Sequence, residues 1–313
     1  MVGKTKTDPT GMGKNRQRGE KALSVRLSNS RIRIMQLFRT IPRTKKQRTD
    51  IRNEQHITTV YDYDISATES LALAGFVGSI LNDELLKSQL DPPPNWYWRT
   101  IIERPYASGT AEEVIIFNQL INSAGVKAPT TGFPLGEIQV QDVLLSPQYR
   151  EALAGVLADN TNSIKTLSTT TANQVMTQIN LGIDSGDSPR VISKAIQKRF
   201  DVAKSSADRI ARTEINKAYN DAKIDFTDIA SERTGLRAGV IHVSALITTT
   251  RTTHAARHGS AYTTAQQQQW WNKDANRINC LCSTISVLID RKGNLVDIQQ
   301  QKRIQEERAF FDQ

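Results

Sequence analysis

No stretch of this chain is apolar for long enough to cross a membrane. The longest apolar-leaning run, residues 71–81, falls far short of the roughly 20 residues that a spanning helix requires. No apolar segment of the kind found in secretion signals follows Met1. Neither export nor a membrane partner is expected. Aromatic residues are scarce, at 6% of 313 residues, and 38% hydrophobic content with a mean hydropathy of -0.45 describes modest cores under much polar surface. The only cysteines, Cys280 and Cys282, stand one residue apart. A bridge between them would be strained and would close almost no loop, so disulfide stapling is excluded and synthesis in a reducing cytoplasm fits.

Several catalytic patterns are also missing. The zinc-protease pattern H-E-x-x-H needs Glu where Ala255 stands, and the nucleobase deaminase pattern, H-x-E with P-C-x-x-C, lacks both halves. Neither a G-x-x-x-x-G-K-[ST] phosphate loop nor a G-x-S-x-G nucleophile elbow occurs. The chain is not expected to be an enzyme.

What is present is unevenly distributed. Residues 1–53 carry 15 Lys or Arg against 3 acidic residues, a net +12, and the rest of the chain carries 26 against 29, a net −3. The whole basic excess therefore resides in the N-terminal sixth. Residues 1–21 show no apolar periodicity and are expected to be disordered unless something holds them. Between residues 22 and 38 apolar positions return, suggesting a helix or extended segment that docks while presenting arginines. A charge-driven contact with DNA follows, through Lys14, Arg16, Arg18, Lys21, Arg31, Arg33, Arg39, Arg43, Lys45, Lys46 and Arg48. A solvated basic tail is the plainer reading. The rest of the chain is expected to fold without this arm.

Beyond the arm, helices are expected over residues 67–90, ended by Asp91-Pro92-Pro93-Pro94, and over 110–123, before a Pro/Gly-rich linker at 127–136. Trp96-Tyr97-Trp98 reads as local core or an interface anchor. Ser146-Pro147 and Ser188-Pro189 each place a capping hydroxyl before a first-turn proline. Residues 161–181 still allow a helix. The longest stripe, residues 205–233, repeats apolar side chains every three or four positions and stops near Gly235. Two β-branched runs follow, at 240–247 and 283–289, and Asp290 to Asn294 reads as a hairpin turn.

Within this last stretch, His254 and His258 lie in H-A-A-R-H, a spacing that puts both imidazoles on one helix face, and Cys280 and Cys282 follow within 30 residues. The four make a Cys2His2 set of the type that suits one tetrahedral, structural zinc. A metal-free polar core and reactive thiol chemistry are the alternatives.

These residues sit within an order of motifs that resembles a known family. L-G-I-D-S-G-D-S-P-R-V-I-S-K-A-I looks like a turn-then-helix lead-in, and D-R-I-A-R-T-E-I-N-K-A-Y-N resembles a central helix. Gly239-Val240, T-R-T-T-H-A-A-R-H-G and N-C-L-C follow in order. Residues 181–287 are thereby similar to the head morphogenesis domain of phage Mu F-like and SPP1 gp7-like minor head proteins. His258 stands where that family commonly has Asp, Leu281 replaces an Arg between the cysteines, and Ile247 stands about where an Asp often precedes the T-R pair. The resemblance implies a few copies per virion head, associated with the portal and in some members with DNA. Arg212 and Glu214 of the R-T-E triplet are expected to be structural, an internal salt bridge locking the helix to the β module.

The expected architecture is α+β, mostly helical, with a small C-terminal β-containing module and an extended basic N-terminal arm. The expected divisions are an arm at 1–53, a helical region at 54–145, a helical core at 146–235 and a His/Cys module with its tail at 236–313. The expected function is that of a minor head protein of a tailed bacteriophage, partnered by portal or major capsid protein and by phage DNA, assembled in the host cytoplasm and carried in the virion head. A zinc-containing nucleic-acid-binding protein is the first alternative. A head-borne ADP-ribosyltransferase is the second, and would need a nucleotide site that no motif supplies.

Overall fold

The computed structural model describes residues 4, 5, 7–49, 57–86, 96–123, 138–296, 301, 302 and 304–306. The expected linker at 127–136 and the Asp91-Pro92-Pro93-Pro94 break lie outside them. The chain divides into two compact units, residues 1–19, 97–160 and 211–313 forming the first and residues 20–96 and 161–210 the second. The fold is α+β and mostly helical, as expected. Among the described residues, no helix is long and apolar enough to cross a membrane.

The second unit begins in α1 (Gly13–Arg39), which takes the helical form allowed for residues 22–38 and continues it back into the stretch expected to be disordered. Leu23, Leu27, Ile34 and Phe38 recur at helical spacing and are buried, so this basic helix is also amphipathic. Strands β1 (Arg43–Thr49) and β2 (Ile57–Tyr63) pair antiparallel from Arg43↔Tyr63 to Thr49↔Ile57, a two-stranded ribbon that the sequence reading did not anticipate. This pairing joins residues on both sides of the expected boundary at 53. Helix α2 (Ala67–Leu85) starts on a capping box in which Ser66 and Glu69 bond each other's backbone N–H groups, and buries Leu73, Val77, Leu81 and Leu85 along one stripe. Tyr63 closes onto Phe38, with ring centroids 6.3 Å apart, and its hydroxyl donates to the Asp187 carbonyl at 2.9 Å.

In the first unit, the residues preceding α1 are fixed by Asp8. Its carboxylate accepts from the Gly13 backbone N–H at 3.1 Å and from the Arg16 guanidinium at 2.7 Å. Arg16 also donates to Asn216 Oδ1 at 3.1 Å. Gly19 permits the close approach here, since a Cβ would fall 2.7 Å from Ile215 Cδ1 and 2.8 Å from Ile101 Cδ1. The expected disorder of this stretch therefore gives way to a capped helix held by its own chain.

A π-helical turn (Trp98–Glu103) runs directly into α3 (Arg104–Ser123), and the short α4 (Val140–Leu145) precedes α5 (Pro147–Asp184). Tyr97 is fully buried, so the aromatic triplet contributes core. Helix α5 and the long α6 (Pro189–Thr234) both start at the anticipated Ser-Pro steps, where Ser146 Oγ accepts from Tyr149 N and Ser188 Oγ from Val191 N. Gly235, at φ +69°, follows α6 in the left-handed region. The small sheet orders its strands β4-β3-β5, all antiparallel, from β3 (Ala238–Val243), β4 (Ala261–Tyr262) and β5 (Ser283–Leu288). Helices α7 (Thr252–Arg257) and α8 (Thr264–Trp271) fall between these strands. The anticipated turn after β5 is present, Ile289 bridging to Leu295.

Buried charge threads the core of this unit. Lys223 is fully buried, with Nζ 2.9 Å from Glu112 and 3.2 Å from Glu113, and Tyr219 donates to Glu112 at 2.8 Å. Burial opposes the Lys223 charge, but Glu113, Tyr219 and Glu112 outweigh it and hold the pKa above the usual lysine value. Asp225 has only the weaker pull of Arg277. Burial pushes its pKa up to about 6, the Tyr106 hydroxyl at 2.7 Å works against this, and Asp221 and Asp228 add to it. A carboxyl whose pKa is higher folded than unfolded holds its proton more tightly when folded, so stability falls as pH rises from about 4 to about 6. Asp225→Asn, which can still accept from Tyr106, is expected to stabilise the protein at pH 7 by up to about 3 kcal/mol, two pK units at about 1.4 kcal/mol each. Urea unfolding at pH 7 and pH 4 checks this, and a gain of equal size at both pH values would refute the assignment.

Candidate metal centre

The centre is built on one face of α6. Arg212 Nε donates to Asn279 Oδ1 at 2.7 Å, and Thr213 Oγ1 accepts from the Asn279 backbone N–H at 2.9 Å. Asn216 Nδ2 donates to the Cys280 carbonyl at 2.7 Å, and Asn220 Nδ2 to the Cys282 carbonyl at 3.0 Å. Asp221 pairs with Arg277. Asn279 itself has φ +53°, a left-handed conformation that Asn tolerates better than most residues. The 277–282 segment is thus held against the helix side chain by side chain, with both cysteines buried. Arg212, expected in an internal salt bridge, ties the helix to the cysteine segment through a hydrogen bond to Asn279. Glu214 is buried, and its charge raises the Tyr97 pKa further beyond the effect of burial.

From the opposite side come β3 and α7. The register Val243↔Ser283 and His242↔Thr284 sets His242 beside the end of the cysteine segment. His242, His254 and Cys282 are buried and each places a potential ligand atom within 4.8 Å of the others, a set able to hold a metal ion. His254 Nδ1 lies 3.4 Å from Cys282 Sγ and 3.5 Å from Cys280 Sγ. Tetrahedral zinc, with bonds of roughly 2.3 Å to sulfur and 2.0–2.1 Å to nitrogen, separates such ligand atoms by roughly 3.5 Å. The spacing therefore fits. The two thiols are unequal: a bond from Cys280 to Cys282 pushes the Cys280 pKa well up and the Cys282 pKa well down, and His242 and His254 further favour the Cys282 thiolate against its burial.

Of the four expected ligands, His254, Cys280 and Cys282 converge and His258 does not join them. His258 Nδ1 accepts from the Ser244 backbone N–H at 3.0 Å, and Nε2, which then carries the proton, donates to the Ile304 carbonyl at 2.7 Å. With both ring nitrogens occupied, it serves as a brace. The cause is local: α7 ends at Arg257, so the helical spacing that would have aligned His258 with His254 stops one residue short. Nothing in the sequence around His242 marks it, since it lies in a strand buried at four successive positions, and asparagines four apart on a helix, such as Asn216 and Asn220, resemble ordinary surface.

The expected DNA-contacting residues divide by surroundings. Arg16 is consumed by Asp8 and Asn216, Arg31 bonds Gln197, Arg33 pairs with Asp83 and Glu84, and Lys46 pairs with Asp62. Arg43 donates to the Arg39 and Ile41 carbonyls, and Arg48 sits in the ribbon opposite Thr58. Lys14 and Arg18 in the first unit, and Lys21, Arg39, Arg43 and Lys45 in the second, are exposed.

Residues 173–285, from within α5 to within β5, match the family model described as phage Mu protein F like protein. That region is similar to the phage head morphogenesis family, in the same stretch where its motifs resemble that family. No curated protein and no solved structure matches it.

Removing one helix-to-segment bond leaves a buried carbonyl without its partner, at about 1–3 kcal/mol. Asn220→Ala is therefore expected to lower unfolding free energy by that amount in denaturant titration. A loss below about 0.5 kcal/mol, the range of an ordinary surface change, would show that the bond does not hold the cysteine segment.

Proposed function

We propose that this protein is a minor head component of a tailed bacteriophage, assembled in the host cytoplasm and carried in the virion beside the portal. The observation that carries this reading is the phage Mu protein F-like match over residues 173–285. The role is structural: the α6 face, the cysteine segment and the small sheet form a fixed scaffold, and one zinc ion in the His/Cys cluster would add its binding free energy to the stability of that scaffold. Mass spectrometry of purified virions is expected to find the protein at low copy relative to the major capsid protein. Its absence from virions would overturn the reading.

The exposed basic side chains are the proposed contact with packaged DNA, made through phosphates and without base selection. Deleting residues 1–53 is not a clean test, because it removes Leu23, Leu27, Ile34 and Phe38 from the core. Replacing Lys14, Arg18, Lys21, Arg39 and Lys45 by Gln keeps the core and removes five positive charges. Duplex binding by the full-length protein is expected to weaken steeply with salt, and the five-fold variant to bind more weakly with a shallower salt slope. An unchanged slope would place the contact elsewhere. Absence of binding by the wild type at low salt would favour an acidic portal or capsid surface as the partner.

A further inference from the structure

The cluster contains a second chain of hydrogen bonds that decides which nitrogen can serve a metal. Arg257, whose guanidinium stacks 3.6 Å over the Tyr262 ring and 4.4 Å over Trp270, donates to Gln267 Oε1 at 3.1 Å. A guanidinium cannot accept a hydrogen bond, so the oxygen of the fully buried Gln267 amide must face it. The amide nitrogen then faces His242 Nδ1, 3.1 Å away, and donates to it. A neutral imidazole that accepts at Nδ1 carries its proton at Nε2. His242 Nε2 is buried, without a hydrogen-bond partner among the described residues, on the side of the ring that is left to favour the Cys282 thiolate. Ligation through Nε2 would demand the opposite tautomer, with an N–H at Nδ1 directed into the Gln267 N–H2.

His254 has the reverse arrangement. Its Nδ1 faces both sulfurs at ligand spacing, and its ring packs edge-on against Trp270 with centroids 4.7 Å apart. A cavity of about 210 Å³ opens over His254, Cys280 and Cys282, its wall also including Arg212, Arg251 and Thr250. His242 does not line it. Arg251 is fixed there by bonds to the Ala275, Asn276 and Ile278 carbonyls.

We infer that the metal of the zinc reading, on which this step rests, is held by His254 Nδ1, Cys280 Sγ and Cys282 Sγ, while its fourth position faces the cavity and accepts a small oxygen anion, a carboxylate or phosphate, attracted by Arg212 and Arg251. His242 is a positioning residue whose Nε2–H stands on the Cys282 side and favours its thiolate without ligating the metal. Three protein ligands with an open position differ from the closed four-ligand site expected from the sequence.

Cobalt(II) loaded into the full-length protein separates the parts of this assignment. The wild type is expected to bind one ion per chain, with the intense visible bands of four-coordinate cobalt and thiolate-to-cobalt charge transfer. Azide, acetate and phosphate, added in separate titrations, are expected to shift the visible bands saturably. The more effective of acetate and phosphate identifies the anion class. Bands that ignore all three anions would mean that a fourth protein ligand closes the site, overturning the open position while leaving the metal in place. No bands in the wild type would overturn the metal reading itself. His242→Gln is expected to retain stoichiometric cobalt with affinity reduced roughly 10-fold, as for loss of a supporting bond. His254→Ala and Cys280→Ser are expected to lose more than that, the latter with weaker charge transfer. Loss of stoichiometric binding in His242→Gln, with helicity unchanged by circular dichroism, would make His242 a ligand and refute the assignment.

Discussion

An irregular segment can be buried only if its backbone groups find partners, and the structure around the cysteines depends on how α6 meets that demand. Residues 277–282 form neither helix nor strand until Ser283 opens β5. Asn216 and Asn220 supply the missing donors. Four residues of α-helix advance about 6 Å, and two residues of extended chain advance about 6.6 Å. Asparagines one helical turn apart can therefore reach alternate carbonyls of a chain running alongside. Cys280 and Cys282 carry those carbonyls, so the bonds that satisfy the backbone also aim both thiols at His254.

The same economy of partners recurs where charge is buried. Lys223 remains protonated although fully buried because Glu112 and Glu113 face it and Tyr219 holds Glu112. Removing any one member would leave the others unbalanced in a medium of low polarity, which makes such a network specify one arrangement more than it adds net stability. The histidines follow the same logic in neutral form. His258 is committed to one tautomer by the Ser244 N–H, and His242 by a relay that begins at the stacked Arg257. Their roles differ because of what their second nitrogen meets, a carbonyl for His258 and the neighbourhood of a thiolate for His242.

The basic N-terminal segment shows how composition can mislead about order. Its charge density and glycines read as a solvated arm, yet Leu23, Leu27, Ile34 and Phe38 lie close enough to helical spacing to bury a stripe, and Asp8 both caps the helix and neutralises Arg16. Part of the positive charge is thereby spent within the fold, on Asp8, Asp83, Glu84 and Asp62. Net charge counted along a sequence overstates what a surface presents, because ion pairs form between residues distant in the chain.

The sequence by itself determined the features governed by local rules. The Ser-Pro helix starts, the stop at Gly235, the β5 strand with its following turn, and the family resemblance across residues 181–287 are all written in neighbouring residues, since capping, proline geometry and alternation act within a few positions. Three of the four residues expected at the centre converge for a similar reason, as His254, Cys280 and Cys282 are chemically conspicuous. Tertiary structure alone decided the rest: that α7 ends before His258 can share a face with His254, that strand register brings His242 to the cluster, and that Asn216, Asn220 and Gln267 are its supports. Those outcomes depend on which polar group meets which across 10 to 64 residues of chain, and no spacing along the sequence encodes such a meeting.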